Sequence, residues 1–363
     1  VIICKKCKLV QLKHNYDLKY LYGPDYGYRT GINQTMKEHV KKITKILEKK
    51  ANIKSGDYVM DIASNDGTLL NYYKKKYFTF GVDPLIKKYK NNYRSINFKV
   101  SSFFEKNKIL KIIKKKFKII TALAVFYDLK NPNKFLSEIE KVLHKDGIFL
   151  VEFADILSMI KYNMFDAICH EHLTYLSSKI IINMAKKNNL RVFDIRYNNI
   201  NGGSTQYFIC KKKAKFKNNN KNLNLSIKKE NKFKIEKIDT YRKFFNKIEK
   251  IKTNLIQKIT EIKRNKESIH AYGASTKGNV LLQYFNINNK HIDFVADRNP
   301  KKLNYYTPGT KIKIISEKKS RRIKPSYYLV LPWHFKKEIL KREKSTIKSG
   351  SKFIFPLPEL KIY

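Results

Sequence analysis

Two of the chain's eight histidines flank a carboxylate in Cys169-His170-Glu171-His172-Leu173-Thr174-Tyr175-Leu176. Imidazole has an unperturbed pKa of about 6.5, the nearest to neutrality of any side chain, so two rings around one acid are a ready proton-transfer device. The same residues can equally form a hydrogen-bonded structural network, and the segments around them must decide.

A second group lies in Asp61-Ile62-Ala63-Ser64-Asn65-Asp66-Gly67-Thr68-Leu69-Leu70. Its pattern predicts a strand, a tight turn and then a helix whose free N–H groups face a ligand. Asp83 is expected at the end of the next strand, where a carboxylate can accept from both ribose hydroxyls of an adenosine. A dinucleotide loop would need glycine where Ala63 and Asn65 stand, which disfavours a dehydrogenase. An acid at Asp61 suits S-adenosylmethionine, whose amino-acid end is cationic; an unliganded α/β turn is the plainer alternative.

Two further motifs carry chemistry. Gly273-Ala274-Ser275-Thr276-Lys277-Gly278 can cradle a phosphate through backbone N–H groups and the Lys277 ammonium, or serve only as a strand-to-helix turn. It lacks the Walker spacing, so ATP hydrolysis is not expected. Cys4 and Cys7 form half of a tetrahedral zinc site, with the missing pair expected upstream of Val1; a redox pair is the other reading. With half its ligands, this metal site is expected to bind zinc weakly or not at all.

The elements that must position these residues follow from period and punctuation. Short β-rich runs at 57–62, 79–83, 117–122 and 147–152 alternate with helical periodicity, the rhythm of a mainly parallel sheet, and 190–195 with 204–209 suit a closing antiparallel pair. An amphipathic helix is expected from about Asn33, a solvated Lys/Asn-rich loop over 212–232, and a long helix from Ile235 to Arg264. A second α/β unit then opens at Ile269. The expected divisions are a zinc-module remnant (1–15), a cofactor-binding domain (16–211), a loop and connecting helix (212–264) and a C-terminal α/β domain (265–363).

The net charge of +48 would ordinarily point to nucleic acid. However, 68 of the 78 basic residues are Lys and only 10 are Arg, spread through every segment, which resembles the drift of an AT-rich genome more than a recognition surface. An anionic small molecule remains compatible with the charge. No apolar run reaches the roughly 18 residues that span a bilayer, and no leader pattern opens the chain, so a soluble cytoplasmic protein without a membrane partner is expected. Oligomeric state is not legible.

In its motifs the chain resembles the class I S-adenosylmethionine-dependent C-methyltransferases that act on nucleotide-linked deoxysugars. The likeness runs from Cys4 through the Ser64–Leu70 turn, His-Glu-His-Leu-x-Tyr and Asn201-Gly202-Gly203-Ser204. It continues in Tyr272–Asn279, Asp297-Arg298-Asn299-Pro300 and Thr307-Pro308-Gly309-Thr310. The resemblance implies a Rossmann-like methyltransferase sheet, a second, smaller Rossmann-like α/β domain and a partial zinc module. It implies that His172 is the base that removes a proton beside a carbonyl, with Glu171 orienting the imidazole and His170 holding substrate hydroxyls or packing. Ser64, Asp66, Gly67 and Asp83 would bind S-adenosylmethionine, Asp61 would support the turn and Phe103 would lie near the adenine. Tyr175, Asn201, Gly202 and Lys277 would hold a nucleotide-sugar acceptor, in a cleft beneath the second domain.

The chain departs from the family at two places. Cys169 stands where relatives carry tyrosine before His-Glu-His, and Val125-Phe126-Tyr127-Asp128-Leu129 stands where they tend to carry a histidine. A hydroxyl for the enolate oxygen must then come from elsewhere, for which Tyr28, Tyr127 or Tyr175 are candidates, with Asp128 joining the catalytic set. An N- or O-methyltransferase on another small metabolite would need little from His172, and a basic nucleic-acid-binding protein with a vestigial methyltransferase fold would need none of it.

Overall fold

The computed structural model describes residues 1–23 and 26–363; Pro24 and Asp25, in the tyrosine-rich segment, lie outside the described residues. The chain divides into two compact units, Val1–Ile156 with His170–Lys234, and Leu157–Cys169 with Ile235–Tyr363.

The first unit is built on a seven-stranded sheet. Its strands are β1 (Tyr58–Ile62), β2 (Phe78–Val82), β3 (Phe98–Val100), β4 (Phe117–Leu123), β5 (Leu143–Phe153), β6 (Leu190–Asn198) and β7 (Ser204–Lys211). The order is β3-β2-β1-β4-β5-β7-β6, with β7 antiparallel to both its neighbours. Successive side chains leave a strand on opposite faces, so the unbroken apolar runs feed two cores at once. Ile120, Phe149 and Val151 pack into one, and Ile119, Ile148 and Leu150 into the other. Helix α1 (Gln34–Lys50) covers the second core with Val40, Ile43 and Leu47, and the side chain of Asn33 caps it by accepting from Met36 N at 3.2 Å. This is the helix expected from Asn33.

Two expectations fail here, each for a local reason. No α-helix follows β1; the chain makes turns and a single 3-10 turn at Leu70–Tyr72. Asn71 is tied by its side chain to Asn92 O (2.9 Å) and to Ser95 Oγ (2.5 Å), which competes with helical pairing. The supposed loop at 212–232 contains helix α3 (Asn220–Phe233), capped by Asn219. Its polar composition hides its buried contact: Glu230, 1% exposed, accepts from the backbone N–H groups of Ser178 and Lys179 at the start of α2 (Ser178–Lys187). An acid at a helix N-terminus meets free amides and the positive end of the dipole.

A small three-stranded sheet joins Ile2–Ile3, Val10–Gln11 and Thr174–Tyr175, with Val10 opposite Tyr175. It ties the cysteine segment to the strand that follows His-Glu-His.

The second unit carries a six-stranded sheet of β8 (Ile269–Tyr272), β9 (Phe294–Asp297), β10 (Ile314–Ser316), β11 (Tyr327–Val330), β12 (Lys352–Phe355) and β13 (Lys361–Ile362). The order is β10-β9-β8-β11-β12-β13, parallel except for the last pair. The long helix is α4 (Ile238–Arg264), and α5 (Thr276–Tyr284) follows the glycine loop with Ser275 as its cap. Phe165 stacks on Phe285 at 4.9 Å, and Trp333 Nε1 donates to Asp166 Oδ2 at 2.8 Å, fixing the 157–169 segment within this unit. Among the described residues no helix is long and apolar enough to cross a membrane.

Candidate active site

At the carboxyl end of β1 the chain turns sharply through Ala63 (φ 57°), Asn65 (φ 50°) and Gly67 (φ 74°). Positive φ is costly for Ala and Asn, so the turn is over-determined by its partners. Asn65 N donates to Asp83 Oδ2 (2.8 Å), Gly67 N donates to Ser64 O (2.8 Å), and Ser64 Oγ meets Tyr93 OH at 2.7 Å. A β-carbon on Gly67 would lie 2.9 Å from Ile96 Cδ1.

Three buried carboxylates gather at this edge. Asp61, bonded by Thr121 Oγ1 at 2.5 Å, is pushed up to about 7 by burial, against the pull of that hydrogen bond. Asp83, at the end of β2, accepts from Asn65 N and Leu85 N; burial raises it to about 6 although both amides oppose the shift. Asp66 is fully buried and saturated: Arg29 Nε and Gly31 N each donate to Oδ2 at 3.0 Å, and Thr68 Oγ1 donates to Oδ1 at 2.6 Å. Its bonds anchor residues 29–31 on the turn. Phe103, beyond β3, is 37% exposed.

The tyrosine-rich segment reaches the carboxyl end of β4. Tyr22 OH donates to Asp128 Oδ2 at 2.6 Å, and the Tyr22 and Tyr26 rings lie 4.9 Å apart. Asp128 is 1% exposed, its Oδ1 has no hydrogen-bond partner, and burial followed by the charge of Glu171 drives its pKa well above the carboxylate range. The Tyr127 ring packs, tilted by 58°, at 4.2 Å from the His172 ring, and a Glu171 carboxylate oxygen lies within 4.8 Å of a His172 ring nitrogen. Burial also raises Glu171. His170 is exposed and packs edge-on against Tyr16 at 4.5 Å, apart from this group.

Tyr26 links the two clusters. After burial, the charges that raise its hydroxyl are those of Glu171 and Asp128, with Asp83 further down the same ranking. Tyr28 also bears on Tyr26; its carbonyl accepts from Asn65 Nδ2 at 3.2 Å, and burial, then the charge of Asp66, raises its hydroxyl against a hydrogen bond from Thr30.

The remaining candidates are dispersed. Tyr175 is buried on the strand that pairs with Val10, and Asn201 (φ 54°) and Gly202 (φ 92°) form the turn between β6 and β7. In the second unit, Lys277 lies in the first turn of α5; burial raises Asp166 against the pull of the Lys277 charge, and burial followed by that same charge lowers His334. Cys4 and Cys7 lie in a turn closed by Lys8 N donating to Cys4 O at 2.9 Å. No other Cys, His, Asp or Glu among the described residues joins them in a three-ligand group, so the residues present do not fit a closed zinc site.

Sequence reading missed Tyr22 and Tyr26 as individuals, although both stand in a segment whose density of tyrosine and glycine singled it out. It also missed His39, whose Nε2 lies 2.6 Å from Glu152 Oε1, while Gln206 Nε2 donates to Glu152 Oε2 at 2.5 Å. No spacing in the chain links three residues so far apart.

Residues 32–195 match the family described as a methyltransferase domain, and residues 199–358 the family described as a C-methyltransferase C-terminal domain. The chain is 26% identical to the C-methyltransferase NovU of Streptomyces niveus, over 100% of this chain and 86% of that protein. Similar solved structures include a S-adenosylmethionine-dependent methyltransferase from Clostridium acetobutylicum, with TM-score 0.38 and 13% identity over 48% of this chain and 91% of that one. Magnesium protoporphyrin IX methyltransferase of Synechocystis, solved with SAH, gives TM-score 0.37 and 13% identity over 53% of this chain and 92% of that one.

Proposed function

Since the chain is a S-adenosylmethionine-dependent C-methyltransferase, with a methyltransferase domain and a C-methyltransferase C-terminal domain, we propose that it methylates the carbon next to the keto group of a nucleotide-linked deoxysugar through an enolate. The observation that carries this reading is the grouping around His172: the Tyr127 ring, on the turn that also carries Asp128, lies 4.2 Å from its imidazole, and a Glu171 oxygen lies within 4.8 Å of a ring nitrogen. A carbon nucleophile needs such a base, whereas oxygen and nitrogen acceptors need less.

The residues at the sheet edge suit the cofactor. Asp83 retains lone pairs for ribose hydroxyls while its present bonds hold the turn; the Gly67 turn leaves no room for a side chain, and Asp61, raised to about 7 by burial, is an acid that a cationic group nearby would ionise. Ser64 and Asp66 shape that turn, and the exposed ring of Phe103 is suited to the adenine. When bound, S-adenosylmethionine supplies an electrophilic methyl group. His172 takes the proton from the acceptor carbon, and Glu171 beside it favours the imidazolium that forms. Tyr175, Asn201, Gly202 and Lys277 are assigned to acceptor binding. The excess of lysine suits an anionic diphosphate.

The test is solvent deuterium exchange into thymidine diphosphate-4-keto-6-deoxyglucose, with His172→Ala and His172→Gln alongside. Exchange is expected in the unaltered protein, with a loss of about 100- to 10,000-fold in both variants and unchanged cofactor affinity. Equal methyl transfer by the variants would refute the base assignment.

A further inference from the structure

Resting on that C-methylation reading, we infer that Asp128 works as a neutral carboxylic acid, held by Tyr22, that gives a hydrogen bond from Oδ1 to the acceptor's carbonyl oxygen as it becomes an enolate.

The argument begins with where the acid stands and what it lacks. Asp128 closes the short 3-10 turn Phe126–Asp128 directly after β4, at the same sheet edge as Asp61 and Asp83. In a chain with 78 basic residues, no ion pair among the described residues includes it. Its neighbours are instead acids and phenols: Tyr22, whose hydroxyl donates to Oδ2, and the nearby Glu171, Tyr26 and Tyr127. A buried carboxylate without a countercharge takes a proton in preference to staying ionised. Because Tyr22 already donates to Oδ2, that proton belongs on Oδ1, the oxygen with no partner. A donor is then left over on Oδ1, the oxygen that no described residue engages.

The second strand of the argument is chemical complementarity. A base must be neutral to take the proton, while the group that stabilises the oxyanion must carry one, so the two roles need different side chains. The carbon–hydrogen bond breaks, its proton goes to a His172 ring nitrogen, and its electron pair becomes the carbon–carbon double bond as the carbonyl turns into an enolate. Methylation of that carbon restores the carbonyl and leaves a thioether. Asp128 keeps its proton throughout, and His172 returns its own to solvent. The Tyr127 ring packs against His172, and its carbonyl accepts from Thr174 Oγ1 at 3.2 Å, which holds the turn carrying Asp128 against the His-Glu-His segment. Tyr22 is a positioning residue: it occupies Oδ2 and so orients the carboxyl group.

The experiment uses the full chain. Isotope-edited infrared difference spectra, unaltered protein against Asp128→Asn with carboxyl-labelled aspartate, are expected to contain the carbonyl stretch of a protonated acid at neutral pH; a spectrum with only ionised carboxylate at this position overturns the proposal. With the 4-keto sugar as acceptor, Asp128→Asn keeps a neutral donor and is expected within about tenfold of the unaltered kcat, while Asp128→Ala loses about 100- to 1,000-fold, the usual cost of one oxyanion donor. Asn as inactive as Ala, or Ala as active as the unaltered protein, overturns it. Tyr22→Phe removes a bond that favours the ionised form, so the alkaline limb of its kcat profile is expected to move up; an unmoved limb removes Tyr22 from the account. Failure of the unaltered protein to exchange deuterium into any 4-keto sugar would strike the C-methylation reading alone, because the infrared result needs no substrate.

Discussion

Replacing Asp83 by Asn separates cofactor recognition from folding. Asp83 is 5% exposed and both its oxygens accept backbone amides, from Asn65 N at 2.8 Å and Leu85 N at 2.7 Å. Asn can satisfy one amide and turns a donor toward the other, at a cost of about 1–3 kcal/mol. Against this, burial raises Asp83 from 3.8 to about 6. At neutral pH that ionisation penalty is worth about 3 kcal/mol, and the neutral amide escapes it. The two effects offset, so the ligand-free variant is expected within about 2 kcal/mol of the unaltered protein in urea unfolding. Binding has no such offset. Two hydroxyl bonds to an ionised carboxylate are worth about 1.5–3 kcal/mol each, so calorimetry of S-adenosylhomocysteine should show a 100- to 10,000-fold weaker Kd, to order of magnitude. The sign with pH follows: the ionised form binds, so affinity is flat above about 6 and falls about tenfold per unit below it, while the variant is flat. A variant that binds within threefold of the unaltered protein would refute the ribose assignment. A variant that is unfolded would refute the offset between the lost amide bond and the relieved ionisation penalty.

Two further outcomes follow from the packing. Gly67→Ala forces a side chain into φ 74° and a β-carbon to 2.9 Å from Ile96 Cδ1; urea unfolding should show a loss of about 2 kcal/mol or more, and no loss would mean the turn is free to relax. Trp333→Phe removes the hydrogen bond that Trp333 Nε1 gives to Asp166 Oδ2, in a fully buried carboxyl whose Oδ1 has no partner. A stability loss of about 1–3 kcal/mol is expected by the same measurement, and equal stability would contradict a structural role for this pair.

The sheet architecture was legible in the sequence because a parallel strand buried on both faces is an unbroken apolar run, as in Ile148-Phe149-Leu150-Val151. The same logic failed at α3, where the contacts that hold the helix are made by Glu230 and Ser226, polar residues that no hydropathy pattern marks. It failed again after β1, where Asn71 side-chain bonds outweigh a modest helical pattern. The site was legible in its parts. Period and punctuation locate the strand ends where Asp61 and Asp83 stand, and His172 is marked by its motif; the partner of Asp128 is 106 residues away, and only the fold picks out Tyr22 as that partner. Asp66, whose place in the turn suggests a ligand contact, also carries a task the sequence does not show: its oxygens accept from Arg29, Gly31 and Thr68.

The central claim is that a base-generated carbon nucleophile receives the methyl group. The direct measurement is NMR of the product formed from S-adenosylmethionine carrying a 13C-methyl group and a panel of nucleotide-linked 4-keto-deoxysugars. The label is expected on a ring carbon adjacent to the keto group, in a reaction that His172→Ala stops. Label on an oxygen or a nitrogen, or on carbon in undiminished yield from the variant, would contradict it.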